Sequence, residues 1–209
     1  MPMRQAERCL WCGGPLIRGR SFLQLMTCND ELCGQCRSLL KPYGRTVVIE
    51  GLSVYALYVY DENFMKFLVQ YKECMDEALK DVFVSPYLYP LKRRTAGKTL
   101  VVMPSSVEKR ELRGFDTLKQ LYGLLDRPFA DLLEKGKNFQ QSGNPEQRKK
   151  NAETIRLKDK VAVPQGKMIL VDDVVTTGST LLAASRLLGV REAVVLAVNQ
   201  RLTERKVSD

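Results

Sequence analysis

The run "KMILVDDVVTTGSTLLAASRLLGVREAVVLAVN", Lys167 to Asn199, most constrains what this chain can fold into. "KMILVDD" and "EAVVLAVN" are short, apolar and rich in β-branched residues, as strands buried on both faces are. Between them "STLLAASRLLG" carries apolar residues at helical spacing, and Gly189 supplies a C-terminal stop. A strand, a helix and a strand in this space imply parallel pairing through a right-handed crossover. "TLVVMP", ending at Pro104, reads as a further buried strand, and "FDTLKQLYGLLDRP" as a helix that ends before Pro128. "TVVIEG" and "VYALYVYDE" read as two more strands. Apolar residues at Phe64, Phe67, Leu68, Tyr71, Met75, Leu79 and Val82 suggest two helices with a break around Lys72 to Cys74. The expected fold class is α/β, a doubly wound parallel sheet.

In front of that sheet stands a different kind of text. Cys9 and Cys12, then Cys33 and Cys36, give C-x2-C-x20-C-x2-C, a spacing that can close a tetrahedral thiolate site. Gly13 and Gly14 allow the tight turn such a loop needs. A redox dithiol would need one pair only, and structural disulfides would suit an oxidising compartment, so Zn²⁺ is the preferred reading. Cys28 and Cys74 are read as ordinary thiols. The expected division is residues 1–45 as a small zinc-binding module and 46–209 as the α/β domain. The 209 residues, 44% of them hydrophobic, suffice for one substantial core plus an appendage.

Lys and Arg outnumber Asp and Glu by 33 to 24, a net charge of +9 that favours polyanionic company. The stretches "KRRTAGK" and "EQRKKN", with Arg4, Arg8, Arg18, Arg20 and Arg37, could track a nucleic-acid backbone, although each alone reads as a solvated face. Trp11 and Phe22 could stack bases; core packing is the preferred role for Trp11. The start "MPMRQAERCLWCGG" lacks the apolar core of a signal peptide, and no run of ~18 apolar residues occurs, so a cytoplasmic protein without a membrane span is expected.

Ligands of such sheets sit outside the carboxyl ends of the strands, where Asp172 and Asp173 fall. The turn Thr176-Thr177-Gly178-Ser179-Thr180 then opens a helix whose N-terminal amides and dipole suit an anion. The turn can cradle a phosphate while the acids hold neutral hydroxyls or reach a metal, a combination that suits a ribose 5-phosphate. Two plainer readings compete. A Walker B pair would go with "AGKT" at Ala96 to Thr99, but Lys92 occupies the first glycine position and "GKT" precedes its strand. A helix cap explains one hydroxyl, not the whole run.

The segment "ILVDDVVTTGSTL" resembles the phosphoribosyl pyrophosphate motif of type I phosphoribosyltransferases. Together with the four cysteines, "QYK", "MPSSVEKRELRGFDTLKQL" and "QQSGNPEQRKKN", it resembles the ComF/ComFC competence proteins of bacterial DNA uptake from about Cys9 to Val198. The resemblance implies a type I phosphoribosyltransferase-like domain. It places Asp172 and Asp173 on the ribose hydroxyls and in any catalysis, and Thr176, Thr177, Gly178, Ser179 and Thr180 on the 5′-phosphate. Lys72 would meet pyrophosphate, Arg110 and Arg113 would form its "R..RGF" signature, and Gln141, Arg148 and Asn151 a second polar signature. From the residues alone, Lys72 reads equally well as a surface lysine. Ser105, Ser106 and Asp116 depart from the family pattern, which leaves that loop's role in choosing an acceptor open. The implied ligands are phosphoribosyl pyrophosphate with Mg²⁺, and the implied partners are single-stranded DNA, an uptake ATPase or helicase and single-strand handling proteins. The alternative is an active pentosyltransferase of an unidentified nucleobase or other acceptor, unrelated to DNA. No histidine exists in the chain, so a general base for the acceptor is expected to be a carboxylate or to be dispensed with altogether.

Overall fold

A computed structural model of the chain describes residues 8–19, 21, 31–105, 116–136 and 155–204. Arg110, Arg113, Gln141, Arg148, Asn151, Cys28 and Phe22 lie outside the described residues. After a short helix α1 (Gly34–Ser38), β1 (Pro42–Ile49) and β2 (Leu52–Tyr60) form an antiparallel hairpin. Its two-residue turn, Glu50 and Gly51, has positive φ at both positions (46° and 83°), the turn hand that matches strand twist. The chain then runs through α2 (Glu62–Lys72), α3 (Lys80–Val84) and α4 (Leu88–Arg94) to β3 (Lys98–Val102), and through α5 (Thr117–Tyr122) to β4 (Phe129–Ala130). A small antiparallel pair, β5 (Leu133–Lys135) with β6 (Ile155–Leu157), precedes β7 (Lys167–Val175), α6 (Ser179–Leu188), β8 (Glu192–Asn199) and α7 (Gln200–Thr203).

The main sheet has the order β1-β2-β8-β7-β3-β4, parallel throughout except for β1. Its inner strands are apolar along nearly their whole length. In β8 every residue from Ala193 to Val198 is buried, as a strand with layers on both faces must be. The connection from β3 to β4 moves along the sheet in one direction and that from β7 to β8 in the other. The order therefore reverses between the adjacent strands β3 and β7, and a crevice opens at their carboxyl ends.

Helix α2 forms one wall of that crevice. Asp61 caps it, its Oδ1 accepting from the Phe64 amide at 2.9 Å, and Phe64, Phe67, Leu68 and Tyr71 bury one face at helical spacing. The helix ends at Lys72, where the sequence placed a break. The helix expected after it is split by a short 3-10 turn over Ser85–Tyr87 that holds Pro86, which has no N–H to give. The basic stretch from Lys92 is partly committed to the fold. The Arg94 guanidinium lies 3.9 Å from the Tyr55 ring centroid, and Lys98 pairs with Glu192 at 2.7 Å. Among the described residues, no helix is long and apolar enough to cross a membrane.

Candidate functional site

The ladder between β3 and β7 ends at Val102 and Val171, whereas β7 stays paired with β8 as far as Val175. Asp172 and Asp173 occupy this overhang. They line a cavity of about 550 Å³, within the usual range for a small-molecule pocket. From α2 come Met65, Leu68, Val69 and Lys72; from the end of β3, Met103, Pro104 and Ser105; from the start of α5, Asp116 and Thr117. Tyr60, Glu73, Lys135 and Thr180 complete the polar lining.

The two acids are held differently. Asp173 forms an ion pair with Lys72, both side chains largely shielded from solvent. Asp172 accepts a hydrogen bond on Oδ1 from the Asp173 amide at 2.9 Å, and the Tyr122 hydroxyl donates to its carbonyl oxygen at 2.8 Å. Burial pushes the Asp172 carboxyl up to about 7, against the downward pull of Lys72 and Lys135. That is a stability statement. Between the unfolded carboxyl range near 4 and about 7, the native protein keeps a proton that the unfolded chain gives up, so stability falls as pH rises through that window. Asp172→Asn removes the penalty: at pH 8 it should be the more stable protein, by about 4 kcal/mol at most. The gap should close as the pH is lowered toward 4. Urea titrations of both proteins at pH 4.5, 6 and 8 check this, and a gap independent of pH would contradict it.

The turn after β7 is shaped by Gly178. Its φ of 84° lies in the left-handed region, and a Cβ there would come within 3.0 Å of Ile49 Cδ1. Gly178 is the cap of α6 and carries no side-chain acceptor. Thr176, Thr177 and Ser179 are exposed around it, with the Thr177 and Ser179 hydroxyls 3.1 Å apart. The first turn of α6 thus offers amides, a favourable dipole and hydroxyls to an anion at the cavity edge.

The structure brings Lys72, Asp172, Asp173 and Thr180 into one cavity. Lys135 and Tyr122 escaped the sequence reading. Lys135 reaches the cavity from a three-residue strand with no motif around it, and Tyr122 was legible only as a helix residue.

The four cysteines also converge. The sulfurs of Cys9, Cys12, Cys33 and Cys36 all lie within 4.8 Å of one another, and Cys12 Sγ is 3.9 Å from Cys33 Sγ. Thiolates about 2.3 Å from a tetrahedral ion stand about 3.8 Å apart, so the set fits a metal. The Cys9 amide donates to Gly14 and the Gly13 amide to Cys9, each at 2.8 Å, folding the first pair into a tight turn. Burial raises the Cys9 thiol, but backbone hydrogen bonds at Cys33, Cys12 and Trp11 outweigh it and bring it down to about 7. Cys36 is driven upward by burial and by the other three sulfurs. Such a cluster reaches full ionisation only with a cation at its centre.

The fold class is the one the sequence pointed to, α/β with a mostly parallel sheet, and a four-cysteine cluster stands on its N-terminal side. The chain is similar along most of its length to ComFC proteins. Competence protein ComFC of Streptococcus pneumoniae (strain ATCC BAA-255 / R6) is 27% identical over 206 residues, 87% of this chain and 93% of that protein. Competence protein ComFC of Bacillus subtilis (strain 168) is 26% identical over 210 residues, 86% of this chain and 88% of the relative. No family model matches. Among solved structures, adenine phosphoribosyltransferase from Rhodothermus marinus aligns over 82% of this chain and 91% of its own, at 20% identity and TM-score 0.41. A hypoxanthine phosphoribosyltransferase from Staphylococcus aureus aligns over 57% and 61%, at 13% identity and TM-score 0.36.

Proposed function

We propose that this protein acts in the cytoplasm in DNA uptake for natural transformation, binding phosphoribosyl pyrophosphate with Mg²⁺ in the β3–β7 crevice and holding Zn²⁺ at Cys9, Cys12, Cys33 and Cys36. The observation that carries the pocket reading is the pair Asp172 and Asp173 in one cavity with Lys72, Lys135 and, from the first turn of α6, Thr180. A ribose phosphate presents hydroxyls to acids and a phosphate to a helix terminus, and the cavity offers both. The ComFC relatives support the place in competence. Single-stranded DNA, an uptake ATPase or helicase and single-strand handling proteins are the partners this reading assigns. The net charge of +9 and the exposed Arg8 and Arg18 of the module support a phosphate-backbone partner.

In this pocket the carboxylates of Asp172 and Asp173 accept hydrogen bonds from the ribose 2′ and 3′ hydroxyls, and the amides and hydroxyls from Thr176 to Thr180 fix the 5′-phosphate. Lys72 and Lys135 turn toward the pyrophosphate; Arg110 and Arg113, outside the described residues, are assigned to the same ligand by the sequence resemblance. Mg²⁺, when bound, neutralises pyrophosphate charge; the carboxylates offer the hard oxygen donors it takes.

A second reading, an active pentosyltransferase of an unidentified acceptor, draws on the Asp172 carboxyl. Held up to about 7 by burial, it is poised to take a proton near neutral pH in a chain without histidine. Titration calorimetry of phosphoribosyl pyrophosphate with Mg²⁺ tests the pocket common to both readings. Saturable one-site binding is expected; no heat from a folded, metal-loaded protein would overturn the assignment. Release of pyrophosphate on adding candidate acceptors separates the second reading from the first.

A further inference from the structure

Trp11 is the only tryptophan in the chain, and it sits inside the first metal-binding pair, between Cys9 and Cys12. Its ring stacks on Phe67 with centroids 3.8 Å apart and planes 17° from parallel. Phe67 is fully buried in the middle of α2, and the last residue of α2 is Lys72, ion-paired with Asp173 in the cavity. At ~100° of rotation per residue, Phe67 and Lys72 point to different sides of the helix. A small roll of α2 on its Phe67 side therefore swings Lys72 across the cavity mouth. A second tie runs in the same sense: Lys41, five residues after Cys36, pairs with the α2 cap Asp61 at 3.0 Å. The far end of the helix is fastened elsewhere, by the Tyr71 hydroxyl donating to the Thr117 carbonyl at 3.2 Å.

We infer that Trp11 is a positioning residue for the cavity, through which the four-cysteine module sets the rotation of α2 and hence the place of Lys72. The inference rests on the pocket assignment above for its ligand, but the mechanical link stands on the Trp11–Phe67 and Lys72–Asp173 contacts. It gives the metal module a role in ligand affinity beyond its own folding. By reciprocity, whatever moves Lys72 must be felt at Trp11.

Two measurements decide it. Calorimetry with phosphoribosyl pyrophosphate and Mg²⁺ is run on the wild type, Trp11→Ala, Trp11→Phe, Lys72→Ala and Trp11→Ala/Lys72→Ala, each with confirmed metal content and a cooperative melt. Trp11→Ala should weaken binding by about tenfold, a typical size for coupling between sites. Trp11→Phe should restore most of it, and Trp11→Ala should cost little more once Lys72 is gone. A folded Trp11→Ala protein with wild-type affinity, or an undiminished loss in the Lys72→Ala background, would overturn the positioning role. The second readout needs no ligand: Lys72→Ala, which removes the pair with Asp173, should change the emission of the sole tryptophan. If the wild type binds no phosphoribosyl pyrophosphate, the pocket assignment fails on its own, and the emission of Lys72→Ala still decides the link. Unchanged emission would refute it.

Discussion

Cys36→Ser is expected to yield a protein that holds no stoichiometric metal and melts at least ~10 °C below the wild type. The size follows from two facts. A structural metal contributes several kcal/mol of folding free energy, and in a chain of this length each kcal/mol is worth ~2–4 °C. The module is also not separable from the rest. Cys9, Leu32, Cys33, Cys36 and Leu40 are buried in one continuous cluster with the sheet, and Trp11 packs against it. Losing the metal therefore removes a wall of the common core. Elemental analysis with differential scanning calorimetry checks the expectation, and addition of a strong chelator to the wild type should reproduce the effect. A metal-free Cys36→Ser protein with an unchanged melt would make the module an independent appendage.

The second large effect is at the acids. Asp172→Asn/Asp173→Asn should lose affinity for phosphoribosyl pyrophosphate with Mg²⁺ by more than about 100-fold. Hydrogen bonds to charged acceptors are worth ~1.5–3 kcal/mol each, and two ribose hydroxyls lose theirs together. The single variants should differ. Asp173→Asn also releases Lys72 from its ion pair, making it available to pyrophosphate, so part of its loss is offset. Asp172→Asn leaves that pair intact and should show the fuller loss per residue. Affinity for single-stranded DNA should survive the double change, retaining the steep salt dependence of phosphate contacts. If the folded double variant loses DNA at low salt, pocket and DNA surface are one site.

How much was legible depended on how locally each feature was written. The β7–α6–β8 unit could be read because strands buried on both faces are apolar throughout and Gly189 ends the helix in a left-handed conformation. The four cysteines could be read because metal ligands come in fixed spacings. The second helical segment was misjudged as one helix because apolar periodicity continues through Ser85-Pro86, where backbone hydrogen bonding cannot. Strand β4 has two residues and β5 and β6 three each, too short for any period to show. Lys135 reaches the cavity through that small sheet, so its role was invisible along with the sheet. Trp11 was rightly expected in a packed environment, but no single sequence reveals that its partner is Phe67.

The strand order carries a further consequence for how the chain is made. β2 is complete by Tyr60, yet its inner neighbour β8, which pairs Ser53 with Glu192 and Tyr60 with Asn199, follows only after all the intervening helices and strands have been made. During synthesis β2 has only the hairpin partner β1, while its other edge, apolar from Val54 to Tyr58, waits for β8 to emerge. Closing so long a loop is slow, and an unpaired apolar edge invites wrong partners in the interval. Nascent chains stalled before Glu192 should accordingly be the aggregation-prone, chaperone-dependent form, and emergence of β8 the event that commits the sheet.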